Sequence, residues 1–334
     1  MDNNPILEVK EARKYYPVTK GFISRRNIGT VKAVDNVSFN LYKGETLGVI
    51  GESGCGKSTL AKLILGLTAP SGGEIRLNGE PVRPDMPLSM RRNIQMIFQD
   101  PYSSLDPRMD VRRIVEEPLR VHERLSKEEK NRIVLPIMEQ VGLPAGALHK
   151  FPHEFSGGQR QRIGIARALV LNPELIVCDE PVSALDVSIQ AQVLNLFASL
   201  KKIRGLTYIF ISHDMGVIKH VSDRIMVMYL GQVMEIASKR SLFGDARHPY
   251  TQALMSAIPK PNPAAKKSRI VLEGDLPSPI HAPAGCPFQS RCPQAMEKCQ
   301  IKPELKQVGE GHYAACHLVN EGVSHDEIYR SKGM

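Results

Sequence analysis

A glycine-rich segment that follows a short apolar run carries residues suited to phosphate chemistry. The apolar run is Thr46–Ile50, and the segment after it consists of Gly51, Glu52, Ser53, Gly54, Cys55, Gly56, Lys57, Ser58 and Thr59. Glycines at this spacing let backbone N–H groups face inward and surround phosphate oxygens at the positive end of a helix. Lys57 would reach the β and γ phosphates, and Ser58 would offer its hydroxyl to Mg²⁺. The sequence therefore predicts a strand, a phosphate-binding loop and a helix that together bind ATP.

Two acids follow a second apolar run, residues 175–178, and their types fit the other side of a nucleotide site. Asp179 would stand at the carboxyl end of a strand, where it is placed to hold Mg²⁺ through water. Its neighbour Glu180 is the candidate that orients and deprotonates the attacking water, a step worth ~10²–10⁴ in rate. Many strands end in acids, so this pair indicates nucleotide hydrolysis only together with the phosphate loop.

The order of the motifs resembles that of the ATP-binding-cassette (ABC) superfamily. Residues 155–159, Phe-Ser-Gly-Gly-Gln, are similar to the signature motif of that superfamily, and the resemblance extends from residue 6 to about residue 240. It implies four further site residues, namely Tyr16 for stacking on adenine, Gln99 for Mg²⁺ and the attacking water, Asp186 at the end of the D-loop, and His213 as the switch histidine. Tyr15 adjoins Tyr16 and is the alternative stacking residue.

In ABC proteins two cassettes pack head to tail, so the resemblance implies a site that is complete only in a dimer. The signature would contact the partner's nucleotide through a hydroxyl, backbone N–H groups and a helix N-terminus. Its residues here are Ser156, Gly157, Gly158 and Gln159. The resemblance thus implies an ATPase in which Glu180, Gln99 and His213 act at the phosphate loop and the signature acts on the neighbouring subunit.

The spacing of the apolar runs predicts a mainly parallel sheet covered by helices. Strands are predicted at 46–50, 93–98, 175–178, 207–211 and 224–228, and helices at 57–65, 159–170 and 187–203. Residues 102–155 have no convincing strand, which predicts a helical insertion. With the resemblance, the expected fold class is α/β. It is a P-loop ABC nucleotide-binding domain over residues 1–258, with a RecA-like core and a helical subdomain at about 102–170.

A proline-rich stretch follows this domain and predicts a loop-rich C-terminal extension over residues 259–334, with a role in regulation or assembly. Dense prolines are hostile to helix interiors and to central strands. Just before the extension, His248 and Tyr250 are predicted to belong to a helix N-terminal turn that begins at Pro249.

Four of the six cysteines lie in the extension, at Cys286, Cys292, Cys299 and Cys316. A reducing cytosol disfavours disulfides, so a group of thiols suggests metal or cluster binding. Four thiolates suit an iron–sulfur cluster or tetrahedral zinc. The C-x₂-C knuckle of many zinc sites is absent, although three histidines are alternative zinc ligands, namely His281, His312 and His317. Resemblance to peptide-importer ATPases whose tails carry a 4Fe–4S cluster favours the cluster, and free thiols are the third alternative.

Composition limits the classes of function. The chain has 334 residues, 42% of them hydrophobic, and a net charge of +9. These values exclude a disulfide miniprotein, a collagen-like fibre and a chain disordered throughout. No apolar run approaches the ~18 residues of a membrane helix, and the N-terminal residues lack a signal-peptide pattern, so we expect a cytosolic chain. The positive charge, densest in residues 10–32, lacks the aromatic interleaving of a nucleic-acid surface, and no nucleic-acid partner is expected.

The segments after the cassette resemble those of peptide and nickel import ATPases, above all the F-type ATPase subunits of dipeptide permeases. They are residues 247–254 (Arg-His-Pro-Tyr-Thr-Gln-Ala-Leu), residues 274–279 (Gly-Asp-Leu-Pro-Ser-Pro) and the cysteine-bearing tail. The resemblance implies the ATPase of a dipeptide or oligopeptide importer, held at the cytoplasmic face of the bacterial inner membrane. The implied partners are a second, related ABC ATPase, two membrane-spanning permease subunits and a periplasmic or extracellular peptide-binding protein. An importer of nickel or another small solute, and a soluble ABC ATPase acting on nucleic acid or ribosomes, are the alternatives.

Overall fold

A computed structural model describes residues 4–20, 26–258, 270–274, 277–280 and 282–320. In these ranges the strands are β1 (Leu7–Lys20), β2 (Arg26–Leu41), β3 (Thr46–Ile50), β4 (Gly72–Leu77), β5 (Glu80–Pro81), β6 (Ile94–Ile97), β7 (Leu175–Asp179), β8 (Thr207–Ser212), β9 (Arg224–Tyr229), β10 (Gln232–Ser238), β11 (Lys306–Gly309) and β12 (His312–Ala314). The α-helices are α1 (Lys57–Ile64), α2 (Leu88–Asn93), α3 (Pro101–Ser104), α4 (Val111–His122), α5 (Lys127–Gln140), α6 (Gly157–Leu169), α7 (Val187–Arg204), α8 (Met215–Val221), α9 (Lys239–Gly244), α10 (Pro249–Ser256) and α11 (His317–Asn320). Short 3₁₀ helices span Ala145–His149, Pro152–Glu154, Gln289–Arg291 and Glu297–Gln300.

The larger of two sheets has the strand order β11-β12-β10-β9-β3-β8-β7-β6 in the described residues. From β9 to β6 neighbouring strands are parallel, whereas β10, β12 and β11 add to the β9 edge in antiparallel pairs. Every residue of β3 and β8 is buried, as expected for parallel strands that are covered on both faces. The five predicted strands all lie in the parallel part, so the predicted parallel sheet is confirmed.

A smaller antiparallel sheet has the order β2-β1-β4-β5 and packs with helix α1 against the larger sheet. Apolar residues of both sheets and of α1 form one buried cluster that includes Leu7, Leu41, Leu47 and Leu60. The sequence did not predict this second sheet. Several register shifts interrupt the pairing of β1 with β2, and such bulges break the strict alternation by which a half-buried strand is recognised.

Residues 101–169 contain helices and no strand, in agreement with the predicted helical insertion. Helix α5 begins at a capping box in which Ser126 and Glu129 each accept a hydrogen bond from the other's backbone N–H. Its buried residues join α4 and α6 in the larger hydrophobic core. The bounds of a helical subdomain stay a prediction. Within the described ranges, no helix combines the length and the apolar character needed to cross a membrane.

The described part of the predicted extension packs on the cassette. Strand β12 pairs with β10 of the larger sheet, with Ala314 opposite Glu235. Beside this pairing, His312 Nε2 lies 2.7 Å from Glu235 Oε1, and both side chains are buried. Phe288 is fully buried in the larger core. The extension therefore shares sheet and core with the cassette, although a domain boundary near residue 259 stays a prediction.

Candidate nucleotide site

The phosphate loop leaves β3 at the middle of the larger sheet and ends at the first turn of α1. Two of its glycines approach backbone so closely that a side chain would not fit. A Cβ atom on Gly51 would lie 2.2 Å from Met228 O, and one on Gly56 would lie 2.0 Å from Ala33 O. Gly56 also has a φ of +107°, a left-handed conformation that favours glycine. The loop can therefore fold tightly and present its N–H groups at the start of α1, where phosphate oxygens are stabilised.

Lys57 is buried inside this loop, with only 5% of the residue exposed. Its ammonium group donates to Gly51 O at 2.7 Å and to Glu52 O at 3.0 Å, and it lies 3.7 Å from Cys55 Sγ. These partners are neutral groups, so no carboxylate among them offsets the positive charge. The three contacts match the three donors of an ammonium group, so a phosphate oxygen would replace one of them, and the weak sulfur acceptor is the least costly to give up.

Asp179 and Ser58 face each other at the edge of the loop. Ser58 Oγ donates to Asp179 Oδ1 at 3.3 Å. Burial raises the pKa of the Asp179 carboxyl above its usual value, while the Ser58 hydrogen bond and the Lys57 charge oppose the rise. A carboxylate beside a hydroxyl offers the hard oxygen ligands that Mg²⁺ prefers. Two of the three side chains predicted for Mg²⁺ thus lie together as such a site requires. The third, Gln99, instead donates a hydrogen bond to Glu180.

Glu180 lies one residue further and is held from two directions. Gln99 Nε2 donates to Glu180 Oε2 at 3.2 Å, and His213 Nδ1 lies 3.0 Å from the same oxygen. The backbone of Glu180 has a φ of +47° and donates its N–H to Ile211 O at 2.9 Å. This conformation is rare for a non-glycine residue and costs free energy. The two side-chain contacts and the backbone hydrogen bond together fix Glu180 at the end of β7.

Of these groups, Lys57, Ser58, Gln99, Glu180 and His213 line one cleft of about 510 Å³, and Asp179 is not part of its lining. Its lining is Val31, Lys32, Ala33, Ser53, Gly54, Gly56, Lys57, Ser58, Thr59, Gln99, Glu180, His213, Leu230, Gly231 and Pro279. The lining therefore contains both residues of the phosphate loop and Glu180. Such an arrangement can bind a nucleotide and direct a water at its terminal phosphate. The structure thus brings together most of the side chains that the sequence singled out for the phosphate end of the site.

The two neighbouring tyrosines of β1 have different environments. Tyr15 Oη donates to Asp35 Oδ1 at 2.6 Å, and burial together with this bond raises the pKa of Tyr15 to about 12. Tyr16 is exposed and pairs across the sheet with Val31, which lines the cleft. The ring of Tyr16 is therefore the freer of the two to stack on a base, which favours it over Tyr15.

The signature residues lie apart from this cleft. Ser156 caps helix α6, with Ser156 Oγ accepting from Gln159 N at 3.4 Å and Gln159 Oε1 accepting from Ser156 N at 3.1 Å. Gly158 packs against α7, where a Cβ atom would lie 2.4 Å from Ile189 Cγ2. Ser156, Gly157 and Gln159 are exposed, and Asp186 is the N-cap residue of α7. Within one chain, the signature therefore presents a helix N-terminus to the outside rather than to its own phosphate loop.

Comparison with known families decides the assignment. A family model described as "ABC transporter" matches residues 34–183, and one described as "Oligopeptide/dipeptide transporter, C-terminal region" matches residues 234–299. The oligopeptide transport ATP-binding protein AppF of Bacillus subtilis (strain 168) is 51% identical over 320 residues, which cover 94% of this chain and 97% of that protein. The chain belongs to the ATP-binding proteins of ABC transporters. The predicted resemblance and the predicted ATPase class are thereby confirmed.

Further relatives of this ABC ATPase extend the comparison. The dipeptide transport ATP-binding protein DppF of Escherichia coli (strain K12) is 48% identical over 321 residues, covering 95% of both chains. The oligopeptide transport ATP-binding protein OppF of Haemophilus influenzae is 54% identical over 294 residues, covering 86% of this chain and 89% of that protein. Among solved structures, the dimeric cassette MJ0796 matches with a TM-score of 0.61 at 29% identity, over 70% of this chain and 99% of that one. The predicted P-loop ABC fold is thereby confirmed.

The four cysteines of the tail come into one neighbourhood. Cys286 N donates to Cys299 O at 2.8 Å. Burial raises the pKa of the Cys316 thiol to about 12, and the nearby Cys292 and Cys286 thiols add to the rise. Even so, the described residues contain no group of three or more His, Cys, Asp or Glu side chains that could hold a metal ion. The side chains as they stand do not fit the predicted 4Fe–4S cluster, and no finding supports the cluster.

The histidines considered as zinc ligands do not complete such a group. His312 lies against Glu235, and His317 Nε2 donates to Ile301 O at 2.9 Å. His281 lies outside the described residues.

Nearer the cassette, the predicted helix turn at Pro249 is confirmed: α10 begins there, and His248 Nδ1 accepts from Tyr250 N at 3.0 Å.

Two contacts to the phosphate loop were not predicted from the sequence. Tyr250 Oη accepts a hydrogen bond from Glu52 N at 3.0 Å, and Arg291 Nη1 lies 2.8 Å from Glu52 Oε2. Both come from residues about 200 or more positions away along the chain. In the sequence, Arg291 next to Cys292 was the one feature that could have pointed to a contact of the tail. The sequence does not show which of the many acids an isolated arginine will pair with.

Proposed function

We propose that this ABC ATPase hydrolyses ATP at the cleft between the phosphate loop and Glu180 and so powers the import of peptides. The observation that carries the catalytic part is the Glu180 carboxylate, which is held by Gln99 and His213 in the same cleft as Lys57. The transport part is supported by AppF, DppF and OppF, whose names describe oligopeptide and dipeptide transport ATP-binding proteins.

The proposed mechanism is in-line attack of water on the γ-phosphate. Glu180 accepts a proton from the water, while Gln99 and His213 orient its carboxylate. Lys57 and the N–H groups of the loop stabilise the charge that develops on the phosphate oxygens. Ser58 and Asp179 would hold Mg²⁺, which would supply positive charge to offset that of the phosphate oxygens. Tyr16 would stack on the adenine and so orient the nucleotide.

The proposed active form is a head-to-tail dimer of cassettes. Exposed Ser156, Gly157 and Gln159 at the start of α6 offer a hydroxyl and N–H groups to a nucleotide on a neighbouring subunit. We propose that this neighbour is a second, related ATPase. We also propose that the D-loop, which ends at Asp186, lies between the two nucleotide sites of the pair. Two permease subunits would hold the pair at the cytoplasmic face of the bacterial inner membrane, and a peptide-binding protein outside the membrane would deliver the substrate.

The proposed substrate is a dipeptide or a short oligopeptide. The relatives named for oligopeptide transport and those named for dipeptide transport have similar identity to this chain, between 48% and 54%. ATP-binding subunits do not contact the transported solute in the proposed assembly, so peptide length would be read by the permeases and the binding protein. The proposed substrates therefore include both dipeptides and short oligopeptides.

We propose a 4Fe–4S cluster at Cys286, Cys292, Cys299 and Cys316 on the ground of the family resemblance alone. Loop-rich segments with a small core often depend on a metal or a covalent link for their fold. No step of ATP hydrolysis is assigned to the cluster, because the side chains do not stand as a ligand set.

Transport by the assembled complex tests the function. Vesicles that contain the two ATPases and two permeases, with the binding protein added, should take up labelled dipeptide or oligopeptide only with MgATP. Vesicles carrying Lys57→Ala are the control and should show no ATP-dependent uptake. ATP-dependent uptake of nickel without any uptake of peptides would overturn the proposed substrate class while leaving the ATPase in place.

A further inference from the structure

An ion pair joins the cysteine-bearing tail to the phosphate loop. Arg291 Nη1 lies 3.0 Å from Glu52 Oε1 and 2.8 Å from Glu52 Oε2, although the two residues are 239 positions apart. Only 11% of the Arg291 side chain and 28% of the Glu52 side chain are exposed. An ion pair with this little exposure is screened by solvent less than a surface pair. The contact therefore links the tail to the phosphate loop in a partly buried environment.

Glu52 is also fixed through its backbone. Its N–H donates to Tyr250 Oη at 3.0 Å, and its carbonyl accepts from Lys57 Nζ at 3.0 Å. The Glu52 peptide thus connects directly to the ammonium group that faces the phosphates. The ion pair and the Lys57 hydrogen bond therefore restrain the same residue, one through its side chain and the other through its backbone.

The partners of Glu52 rest on a buried aromatic cluster. Tyr229, Tyr250 and Phe288 contact one another edge-on or tilted, with ring centroids 4.8 to 5.4 Å apart. Tyr250 and Phe288 are fully buried, and Arg291 Nη1 lies 3.5 Å from Tyr229 Oη. Phe288 and Arg291 belong to the same short turn between Cys286 and Cys292, so the cluster fixes the arginine relative to the sheet.

We propose that Arg291 is a positioning residue for the phosphate loop, and that the segment 286–292 is thereby part of the support of the nucleotide site. The ion pair holds Glu52 in the position that sets the carbonyl partner of Lys57, so the loop is arranged before ATP binds. Preorganisation of this kind increases affinity because less order has to be imposed on binding. This inference rests on the proposed role of the loop in ATP binding.

ATP affinity of the full-length chain, measured by calorimetry with MgATP, tests the proposal. We expect Arg291→Gln to raise the Kd for MgATP by about three- to tenfold, within the range found for coupled side chains. Glu52→Gln should raise the Kd by a similar factor. The double variant should bind no more weakly than either single one, because one interaction is lost in all three. Arg291→Lys, which keeps the charge but not the planar fork, should restore part of the affinity.

The control is Lys306→Gln, which removes another tail cation from an exposed pair with Glu304 and should leave the Kd unchanged. In the assembled transporter, Arg291→Gln should raise the KM for ATP while kcat at saturating ATP stays within about twofold, because the residue touches no reacting group. A general loss of structure would instead lower kcat as well. If Arg291→Gln does not fold, Glu52→Gln by itself carries the same comparison.

Two results would overturn the inference. One is an unchanged Kd in a folded Arg291→Gln or Glu52→Gln protein. The other is a double variant whose loss equals the product of the two single losses, since that would mean independent effects. Lys57→Ala separates this failure from failure of the proposed nucleotide site. If Lys57→Ala loses ATP binding while the ion-pair variants keep it, only the positioning role is wrong. If Lys57→Ala keeps full affinity, the proposed site itself is wrong.

Discussion

His213 Nδ1 lies 3.0 Å from Glu180 Oε2, the same oxygen to which Gln99 donates. The histidine follows β8, the glutamine follows β6, and Glu180 follows β7, so the ends of three adjacent parallel strands meet at one carboxylate. The position of this carboxylate therefore depends on two partners that belong to different strand ends. This relationship explains how residues 81 and 33 positions from Glu180 along the chain meet at one carboxylate.

Removal of the Lys57 ammonium should weaken nucleotide binding itself. Lys57→Ala deletes the cation that the loop holds through Gly51 O and Glu52 O, and charge-assisted hydrogen bonds to phosphate are among the stronger polar contacts. We expect the Kd for MgATP to rise by at least about tenfold, which is 1.4 kcal/mol. Calorimetry with the full chain measures it, and Lys202→Ala on the exposed side of α7 is the matched control. Equal affinity in the wild type and Lys57→Ala would contradict the role of the loop.

The stability of the protein should fall as pH is lowered through the range in which His248 titrates. Burial lowers the pKa of His248 to about 4, against the opposing charge of Glu235, and His312 also faces that carboxylate. In the unfolded chain His248 binds a proton near pH 6.5, whereas in the folded chain it binds one only near pH 4. The free energy of unfolding is therefore highest above pH 6.5 and decreases as the pH falls from 6.5 to about 4. A shift of this size corresponds to roughly 3 kcal/mol.

Urea unfolding at pH 7 and pH 4.5 measures the loss of stability. His248→Asn is the informative variant, because its side-chain oxygen can still accept the hydrogen bond from Tyr250 N that caps α10. The variant should lose clearly less stability than the wild type between the two pH values. Equal losses would mean that other acids, and not His248, cause the decline.

Anaerobically purified protein should contain iron and sulfide if the proposed cluster is present. Cys299→Ser should then abolish the iron and the visible absorption, and it should destabilise the tail, because metal-binding energy in such segments is also folding energy. Cys178→Ser, at a cysteine buried in β7, is the control for loss of a thiol elsewhere and should keep the iron. Stoichiometric zinc without iron would replace the cluster by the zinc alternative, and absence of both metals would leave free thiols.

The phosphate end of the site was predictable from the sequence because its signals are local. The run from Thr46 to Thr59 encodes strand, loop and helix in consecutive residues, and the structure has β3, the loop and α1 in that order. Asp179 and Glu180 could be added because parallel strands bring their carboxyl ends to one edge of a sheet. Gln99 and His213 lacked a local signal and were identified only through the family resemblance.

Contacts between distant segments could not be predicted in the same way. The tail was expected to be loop-rich because of its prolines, yet β12 pairs with β10 and Arg291 pairs with Glu52. The short strand His312–Ala314 carries no alternation long enough to recognise, and its pairing depends on buried partners such as Glu235 on the neighbouring strand. Tertiary context, rather than local propensity, determines both features.

ATP turnover of Glu180→Gln in the assembled transporter tests the central claim most directly. The amide keeps the size of the side chain but cannot accept the proton from water, so we expect turnover at least about 100-fold below the wild type. MgATP affinity should stay within about threefold, because the phosphate loop is intact. Glu174→Gln, at a half-buried acid outside the cleft whose carboxylate accepts from Asn78 Nδ2, should hydrolyse ATP at the wild-type rate. Near wild-type turnover in Glu180→Gln would contradict the assignment of Glu180 as the base.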